Sequence, residues 1–431
     1  MIKEKIIEET TRMMLDQIEI KSGFIPRIYK SEGEIGLYIH IPFCKIPCPY
    51  CGFIRFKYNA QKIEGYVESL KREIKLYKDL LDNLKINSLY IGGGTPTINP
   101  NALCSIIEYV NENFDIKEIG VEANPDDITQ KVLEMLSSVG VRKISMGVES
   151  FNDSILKAIG RRSHTSETAI NAIKLIVDCG YFDTFSIDLM FSLPSQRVEN
   201  LISDLEIATS LGIPQIATYP VVLFSFNRWY KDVKRGLLKL PGKKSDRTMY
   251  DILTKFLLDR GYKPCSVWSF IKEGYTPYGS VERDEYFGFG AGALSKVDGQ
   301  MYGNTNLVDE YIKALSNEHL PIVCGIDFSV EERMAEFVMM SLYSMGFKQN
   351  EFKNIFGCDI NNSRIKGLLH ALRFLGIINL NNGEFKVTKN GMYYVHLMTK
   401  IFLGRFIDRI CNKCFSPTFN VKPLDLLKQS T

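Results

Sequence analysis

The chain has 431 residues, of which 45% are hydrophobic and 24% are charged, and its formal net charge is +3. A chain of this length can form two or three domains, or one barrel of about 200–250 residues with additional elements. The small net charge and scattered basic residues do not indicate binding to nucleic acid or to an anionic membrane. There is no apolar run of about 18 residues and no signal-peptide pattern. We therefore predict a cytoplasmic globular protein with no membrane or nucleic-acid partner.

Three of the ten cysteines lie close together near the amino terminus. Cys44, Cys48 and Cys51 have the spacing C-x3-C-x2-C and follow a strand-like segment at 37–41. Prolines within the same segment keep it out of a regular helix. Iron–sulfur clusters are usually held by four thiolates, so three local cysteines leave one iron position open for chemistry. An alternative is a closed zinc site in which His40 is the fourth ligand.

The other cysteines do not form a disulfide framework, because clustered cysteines in a reducing compartment indicate metal binding or catalysis. Cys411 and Cys414 form a C-x2-C pair that would need two further ligands to close a zinc site. The isolated cysteines are predicted to be structural: Cys104, Cys179, Cys265, Cys324 and Cys358.

Strand-like and helix-like segments alternate across residues 36–220. This alternation indicates parallel strands joined by right-handed crossovers, in either an open doubly wound sheet or a barrel. The predicted strands are 37–41, a second ending in the glycine run 92–94, then 118–123, 142–147, 182–189 and 215–219. The predicted helices are 61–84, 101–113, 129–138, 152–160, 166–179 and 198–211, after an amino-terminal helix.

Polar residues occur where the predicted strands end. Glu122 ends the third strand, Glu149 the fourth, Asp188 the fifth and Tyr219 the sixth, and the cysteine segment follows the first. In β/α barrels the carboxyl ends of the strands carry the chemistry. One polar group per strand end therefore predicts an enzyme.

The residue types indicate what such a site would bind. The glycine run 92–94 allows a ligand to approach the backbone closely and leaves amides and carbonyls free to bond it, although a run of this kind is also typical of a tight turn. Acidic residues can hold hydroxyls or an ammonium group, and single ones also cap helices. Arg161 can pair with a carboxylate through two hydrogen bonds, although a lone arginine is more often a surface residue.

Five motifs occur in order: YIHIPF with the three cysteines, GGGTPT, EANP, GVESFND and SIDLMFSLP. Together they resemble the radical S-adenosylmethionine (SAM) superfamily. Within it the chain is similar to the group of oxygen-independent coproporphyrinogen III oxidase, which includes a heme chaperone, heme-degrading methyltransferases and class C methylases. The resemblance covers residues 36–300 and is weaker beyond. It implies an α/β fold, namely a six-stranded partial β/α (TIM-like) barrel followed by a small helical, winged-helix-like C-terminal domain.

The resemblance also implies cofactors and their contacts. A 4Fe-4S cluster would be held by Cys44, Cys48 and Cys51, and SAM would bind its fourth iron and be cleaved to a 5′-deoxyadenosyl radical. One or two SAM molecules and a flavodoxin- or ferredoxin-type electron donor are expected. By analogy the SAM-site positions are Tyr38 near the cluster, Gly93, Gly94 and Thr95 at the methionyl part, and Glu122, Glu149, Arg161 and Asp188.

Three departures bear on the reaction, and one of them is that the residues before Tyr38 lack the N-terminal pattern of the oxidase. Phe53 stands where the oxidase has a further cysteine, and Glu149 replaces the usual glutamine of that group. We therefore predict a radical SAM enzyme that modifies a porphyrin-like or heterocyclic substrate, by methyl or alkyl transfer. Oxidative decarboxylation of coproporphyrinogen III and a heme-binding chaperone are the alternatives. Four aromatic residues could stack on a flat substrate or a second SAM, namely Trp268, Phe270, Tyr278 and Tyr286. Arg283 lies among them, and the glycines Gly288, Gly290 and Gly292 follow.

The predicted organisation has five parts. They are an N-terminal helical extension (1–35), a radical SAM partial barrel (36–230), an aromatic and glycine-rich extension (231–325), a winged-helix-like C-terminal domain (326–400) and a tail with the C-x2-C pair (401–431). The basic residues of the C-terminal domain are few and dispersed, so we expect it to be a lid or substrate-side wall rather than a DNA-binding unit.

Overall fold

The computed structural model describes residues 2–27, 34–80, 85–279, 285–417 and 421–427. Its helices are α1 (Ile2–Asp16), α2 (Ala60–Leu80), α3 (Pro100–Asn113), α4 (Gln130–Ser138), α5 (Asp153–Ile159), α6 (Ser166–Cys179), α7 (Val198–Ser210), α8 (Arg228–Lys234), α9 (Lys243–Asp259), α10 (Val308–Ser316), α11 (Val330–Tyr343), α12 (Gln349–Phe356), α13 (Lys366–Phe374), α14 (Met392–Ile401), α15 (Asp408–Lys413) and α16 (Pro423–Leu427). Its strands are β1 (Lys21–Ser22), β2 (Glu34–Ile41), β3 (Phe43–Cys44), β4 (Phe56–Lys57), β5 (Lys85–Gly93), β6 (Glu118–Ala123), β7 (Lys143–Glu149), β8 (Thr184–Phe191), β9 (Gln215–Pro220), β10 (Tyr262–Pro264), β11 (Ser269–Lys272), β12 (Tyr286–Phe289), β13 (Leu294–Val297), β14 (Gln300–Asn304), β15 (Ile322–Asp327), β16 (Gly346–Lys348), β17 (Ile378–Asn381) and β18 (Glu384–Val387). Within these ranges no helix is both long enough and apolar enough to cross a membrane.

One sheet of 13 strands organises the molecule, in the order β1-β15-β14-β13-β12-β2-β5-β6-β7-β8-β9-β11-β10. Its centre is the parallel series β2-β5-β6-β7-β8-β9, which are the six strands that the alternating pattern predicts. Strand β12 pairs in parallel with the outer edge of β2, and the remaining strands pair antiparallel. The sheet ends at β1 and β10 without closing on itself. The prediction of a partial β/α barrel is therefore confirmed.

The two faces of the parallel strands differ sharply in chemistry. Because side chains alternate along a strand, every second residue points to the same face. One face is apolar and packs in a single core with helical residues such as Leu70, Ile107 and Leu133. Its strand residues are Leu37, Ile39, Ile41, Leu89, Ile91, Ile119, Val121, Ile144, Met146, Ile187, Leu189 and Ile216. The opposite face is the concave interior, and it is lined by polar side chains.

The observed element bounds agree with the predicted ones to within a few residues, with one correction at the site. Strand β8 extends to Phe191, because Met190 and Phe191 pair with Tyr219 and Pro220 of β9. Asp188 therefore lies within the strand and not at its end. The last four residues of the predicted helix 61–84 lie outside the described residues, and α2 ends at Leu80.

Residues after 330 form α11, α12 and α13 around a three-stranded antiparallel sheet, β16-β18-β17, and α14 follows it. The hairpin between β17 and β18 turns at Asn382 and Gly383, which have φ of 51° and 76°. A two-residue hairpin loop requires positive φ at both positions, and Asn-Gly supplies it. The helical C-terminal part is confirmed, whereas the predicted domain boundaries stay a prediction, since β10–β15 join the same sheet as the barrel strands.

A buried chain of hydrogen bonds fastens α14 to the barrel. The indole nitrogen Nε1 of Trp268 donates to His396 Nδ1 at 2.8 Å, and His396 Nε2 lies 3.1 Å from Asp246 Oδ2. Lys400 donates to the other carboxylate oxygen at 3.0 Å. Burial lowers the pKa of His396 to about 4, so the imidazole is neutral at physiological pH and accepts from the indole. Trp268 is therefore a structural anchor between two parts of the chain.

Candidate functional site

The concave interior brings together the polar residues that the strand-end pattern singles out. Tyr38 and His40 on β2, Tyr90 on β5 and Glu122 on β6 lie on this face together with Asp188 on β8. Tyr90 donates to Glu122 Oε1 at 2.6 Å, and the Tyr38 and Tyr90 rings lie 6.0 Å apart. Ser145 on β7 donates to Asp188 Oδ1 at 3.4 Å. The interior is therefore a continuous polar surface across five parallel strands.

Each sulfur of the cysteine loop has one hydrogen-bond donor. Thr95 Oγ1 lies 3.5 Å from Cys44 Sγ, Arg161 Nη1 lies 3.4 Å from Cys48 Sγ, and the Phe53 amide lies 3.4 Å from Cys51 Sγ. Burial raises the pKa of the Cys44 thiol, and it raises the pKa of Cys51 to about 12. A bound metal reverses this effect, because the thiolate is the ligand form.

His40 is not available as a fourth ligand. Its Nδ1 lies 2.7 Å from the Tyr38 hydroxyl, and its Nε2 lies 2.8 Å from the Ile54 carbonyl oxygen. Burial lowers the pKa of His40 to about 4. Across the described ranges, no three His, Cys, Asp or Glu side chains converge to hold a single metal ion. This geometry disfavours the zinc alternative, whereas in an iron–sulfur cluster the thiolates bind separate irons.

The glycine run packs against the cysteine strand. At Gly94 an added Cβ would lie 2.6 Å from the Phe43 carbonyl oxygen, and Gly93 has φ of +113°, which side chains disfavour. The amides of Gly93, Gly94 and Thr95 donate to Glu122, to Ile41 O and to Phe43 O. The expectation that these amides are free is therefore wrong. These bonds fix the loop against β6 and the cysteine strand.

Three carboxyl groups and one guanidinium define the electrostatics of the interior. Arg161 Nη2 donates to Asn124 Oδ1 at 2.7 Å and to Gly147 O at 2.6 Å, and it lies 3.8 Å from Glu149 Oε1. Burial raises the pKa of Glu122 and of Glu149, and Arg161 opposes the rise at Glu149. Burial raises the pKa of Asp188 well above its usual value, and the other two carboxyl groups raise it further. Among these four side chains the carboxyl groups therefore outnumber the single guanidinium three to one.

Glu149 has a strained backbone. Its φ is +68°, and the register of β7 against β8 shifts between Gly147 and Glu149. A non-glycine residue in this region costs about 1–3 kcal/mol and is concentrated at functional sites. The irregularity lies next to Arg161, whose Nη2 is 3.8 Å from Glu149 Oε1.

Comparison with known proteins is consistent with this geometry. The model of the radical SAM superfamily matches residues 38–207. The heme chaperone HemW of Lactococcus lactis is 34% identical over 330 residues, which cover 74% of this chain and 85% of that protein. The chain belongs to the radical SAM superfamily.

Two further relatives narrow the group of radical SAM proteins. The oxygen-independent coproporphyrinogen III oxidase of Helicobacter pylori is 27% identical over 86% of both chains. The structure of coproporphyrinogen III oxidase (HemN) from Escherichia coli matches 92% of this chain and 93% of its own, with a TM-score of 0.73 and 21% identity, which supports a shared fold. The chain thus lies in the group of radical SAM proteins that contains HemW and the oxygen-independent oxidases.

Radical SAM proteins use a 4Fe-4S cluster and SAM. The interior fits both groups. Three thiols are spaced on one loop, and an acidic interior suits the ammonium and sulfonium charges of SAM, while Arg161 suits its carboxylate. Buried polar atoms without a partner also lie here, namely Arg161 Nε and Ser186 Oγ. Such atoms are normally satisfied by a ligand or water.

Residues 276–278 close the interior at the amino-terminal ends of its strands. No sequence pattern indicated this closure. Their carbonyl oxygens accept from Thr184 Oγ1 at 3.1 Å, Lys143 Nζ at 3.1 Å and Gln215 Nε2 at 2.6 Å, the first residues of three strands. Tyr278 stacks on Tyr90, with ring centroids 5.4 Å apart. Trp268, Phe270 and Tyr278 are thus buried and do not form the open stacking platform that we expected, and Arg283 lies outside the described residues.

The segment after β9 covers the cysteine loop from the other side. Trp229 N donates to Pro49 O at 3.2 Å, and Asn227 Nδ2 donates to Tyr50 O at 3.1 Å. A Cβ on Gly52 would lie 2.2 Å from the Phe224 ring, so this glycine permits the close contact. The neighbouring Ser225 is bound in turn by Asp408 and Asn412 of α15.

The C-terminal cysteines lie apart from this site. Cys414 Sγ lies 3.4 Å from Cys324 Sγ on β15, so Cys324 is not isolated in space. Cys411 is buried nearby on α15. Among the described residues, none of these thiols belongs to a set of three converging His, Cys, Asp or Glu side chains.

Proposed function

We propose that this protein is a heme chaperone built on the radical SAM fold, which binds heme and carries a SAM-dependent iron–sulfur site. The observation that carries this proposal is the 34% identity to the heme chaperone HemW of Lactococcus lactis across 85% of that protein. The sequence pattern favours methyl or alkyl transfer first, but this relative supports the chaperone alternative better.

The cysteine loop is the proposed cluster site. Cys44, Cys48 and Cys51 would each bind one iron, and the donors from Thr95, Arg161 and Phe53 would lower the negative charge on the three sulfurs. When bound, the cluster and SAM supply one-electron chemistry at the mouth of the interior. Residues 224–229 pack against one side of the loop.

The polar interior is the proposed SAM site. Arg161 would hold the SAM carboxylate, while Glu122, Glu149 and Asp188 would balance the positive charges and bind hydroxyls. Gly93, Gly94 and Thr95 would shape the methionyl end through their fixed backbone. Tyr38 acts indirectly, because it orients His40, whose other nitrogen bonds the cysteine loop at Ile54 O.

A radical reaction on a porphyrin-like substrate is the second candidate function. This function is favoured because the interior brings together the three thiols, the arginine and the carboxyl groups that a reaction with SAM would use. The interior is also closed at its amino-terminal end. Methyl or alkyl transfer and oxidative decarboxylation of coproporphyrinogen III are both reactions of this kind. Each would need an electron donor, for which a flavodoxin or ferredoxin is the expected class.

Heme and SAM assays on the anaerobically purified full-length protein separate these functions. A chaperone should bind heme in a fixed stoichiometry, seen as a saturable Soret band, and should leave the porphyrin chemically unchanged. Formation of 5′-deoxyadenosine with carbon dioxide from coproporphyrinogen III, or with S-adenosylhomocysteine and a methylated porphyrin, would assign the enzyme function instead. A protein that binds no heme would contradict the chaperone proposal. Replacing all three loop cysteines by alanine should abolish bound iron and any SAM cleavage.

A further inference from the structure

A heme-binding protein needs a ligand for the heme iron, and imidazole is the side chain most often used for this purpose. The chain has five histidines. Three of them have both ring nitrogens engaged within the protein: His40, His164 and His396. His319 and His370 are the two whose side chains carry no such bonds in the described part of the chain. Among the histidines, His319 and His370 are therefore the candidates for an iron ligand.

His370 lies in an open groove of about 530 Å³ between α13 and β17, outside the central sheet. Small-molecule and cofactor sites typically measure about 300–1,000 Å³. The groove is lined on the helix side by His370, Arg373 and Phe374 and on the strand side by Ile378 and Leu380. Strand β17 is an edge of its sheet, so nothing in the described chain covers this side.

The exposed face of α13 carries small residues and one aromatic residue around the imidazole. Gly367, His370, Ala371 and Phe374 recur at the helical spacing of three and four residues, so they share one face. Leu369 and Leu372 occupy the opposite face and are buried. Phe374 is 91% exposed, the highest value of the large exposed hydrophobic residues. Small residues on either side of a histidine leave room for a planar ligand to lie against the helix.

The charge beside this face suits a heme. Heme carries two propionate groups, and a guanidinium binds a carboxylate through parallel hydrogen bonds. Arg373 adjoins His370 in the groove, and its guanidinium has no carboxylate partner among the described residues. Lys366 is exposed on the first turn of the same helix. One imidazole, one aromatic ring and free positive charge thus converge on one surface.

We propose that the groove between α13 and β17 binds heme, with His370 as the axial ligand of the iron, Phe374 against the porphyrin face and Arg373 at a propionate. This inference rests on the proposed chaperone function and specifies where the heme binds. An open groove at a sheet edge suits a carrier, because heme can leave it without rearrangement of the barrel. His319 lies three residues after the end of α10 and does not line this groove, so it is the matched control.

Heme titration of the full-length protein tests the site by difference absorption spectra. His370→Ala should weaken heme binding by about 10–100-fold, the loss typical of disturbed metal sites. It should also lose the absorption signature of imidazole-ligated heme, which free imidazole should restore. His319→Ala should bind like the wild type. Arg373→Gln should weaken binding by about two- to fivefold and reduce its dependence on salt.

The possible outcomes are distinguishable. If the wild type binds no heme, the proposed function fails together with this inference. If the wild type binds heme and His370→Ala binds it equally well, the chaperone function stands and this site is wrong. If Phe374→Ser abolishes a dimer and leaves heme binding intact, the groove is an interface between two copies. His370 and Phe374 are exposed helical positions, so circular dichroism should show that all variants fold.

Discussion

Glu73 is a buried carboxyl group that should couple the stability of this protein to pH. It lies on α2 and accepts hydrogen bonds from Gly290 N at 2.8 Å, Asn304 Nδ2 at 2.7 Å and Tyr311 OH at 2.6 Å. Burial raises the pKa of Glu73 from 4.5 to about 7, although these donors oppose the rise. The folded state therefore favours the protonated form. The stability that this group contributes is fully present below about pH 4.5 and is lost as the pH rises through about 7.

Replacement of Glu73 by glutamine should remove this dependence, because the amide has the same shape and is neutral at every pH. The difference between 4.5 and about 7 corresponds to ~3 kcal/mol, at about 1.4 kcal/mol per pKa unit. The free energy of unfolding of Glu73→Gln, relative to the wild type, should therefore rise by ~3 kcal/mol from about pH 4.5 to pH 7 and stay constant above.

Urea unfolding of the reduced, cluster-free full-length protein across this pH range measures the effect. Other titrating groups are common to both proteins and cancel in the comparison. Glu64→Gln is a suitable control, because Glu64 lies on the same helix and is exposed. A difference between Glu73→Gln and wild type that does not vary with pH would refute the reasoning, and would mean that the three donors hold the carboxylate ionised.

Three further variants probe the site and its supports. Arg161→Lys keeps the positive charge, but one ammonium group cannot reach Cys48 Sγ, Asn124 Oδ1 and Gly147 O together. The affinity for SAM, measured by equilibrium dialysis, should therefore fall by about tenfold or more. The iron content should stay unchanged. Gly94→Ala places a methyl group against a backbone carbonyl, which should lower stability to thermal unfolding by about 1–3 kcal/mol and reduce iron uptake, whereas unchanged iron uptake would contradict the packing argument. Trp268→Phe leaves His396 with an unpaired buried nitrogen and should cost about 1–3 kcal/mol in urea unfolding; an equally stable variant would show that the indole bond is not an anchor.

Most features that could be predicted came from local sequence patterns. The alternation of strands and helices predicts the six parallel strands, because each element has its own hydrophobic period. Parallel strands bring their carboxyl ends to one edge, so the polar residues Glu122, Glu149 and Asp188 could be placed in one site before their distances were known. The three cysteines and the prolines of the loop lie within ten residues of one another, so the sequence alone could single the loop out, and its role as the cluster site stays a prediction.

Contacts between distant segments were not predictable. Residues 276–278 close the interior by backbone carbonyls, which have no sequence signature, and their partners Thr184 and Gln215 lie far away in the chain. Trp268 meets His396 across 128 residues, so its role as an anchor was invisible and a substrate role was predicted instead. Cys324 meets Cys414 across 90 residues for the same reason.

The electrostatics of the interior separate the two proposed ligands. Glu122, Glu149 and Asp188 face a single guanidinium, and burial raises the pKa of all three carboxyl groups. The three carboxylates repel one another when they are ionised, and a positively charged ligand would reduce this repulsion. SAM has two positively charged groups, an ammonium and a sulfonium. Heme propionates would add negative charge to the same low-dielectric space, where like charges repel strongly. The face around Arg373 on α13 has the opposite character, since its positive charge has no partner in the described chain. The proposed SAM site inside the sheet and the proposed heme site on α13 would therefore not compete for one ligand.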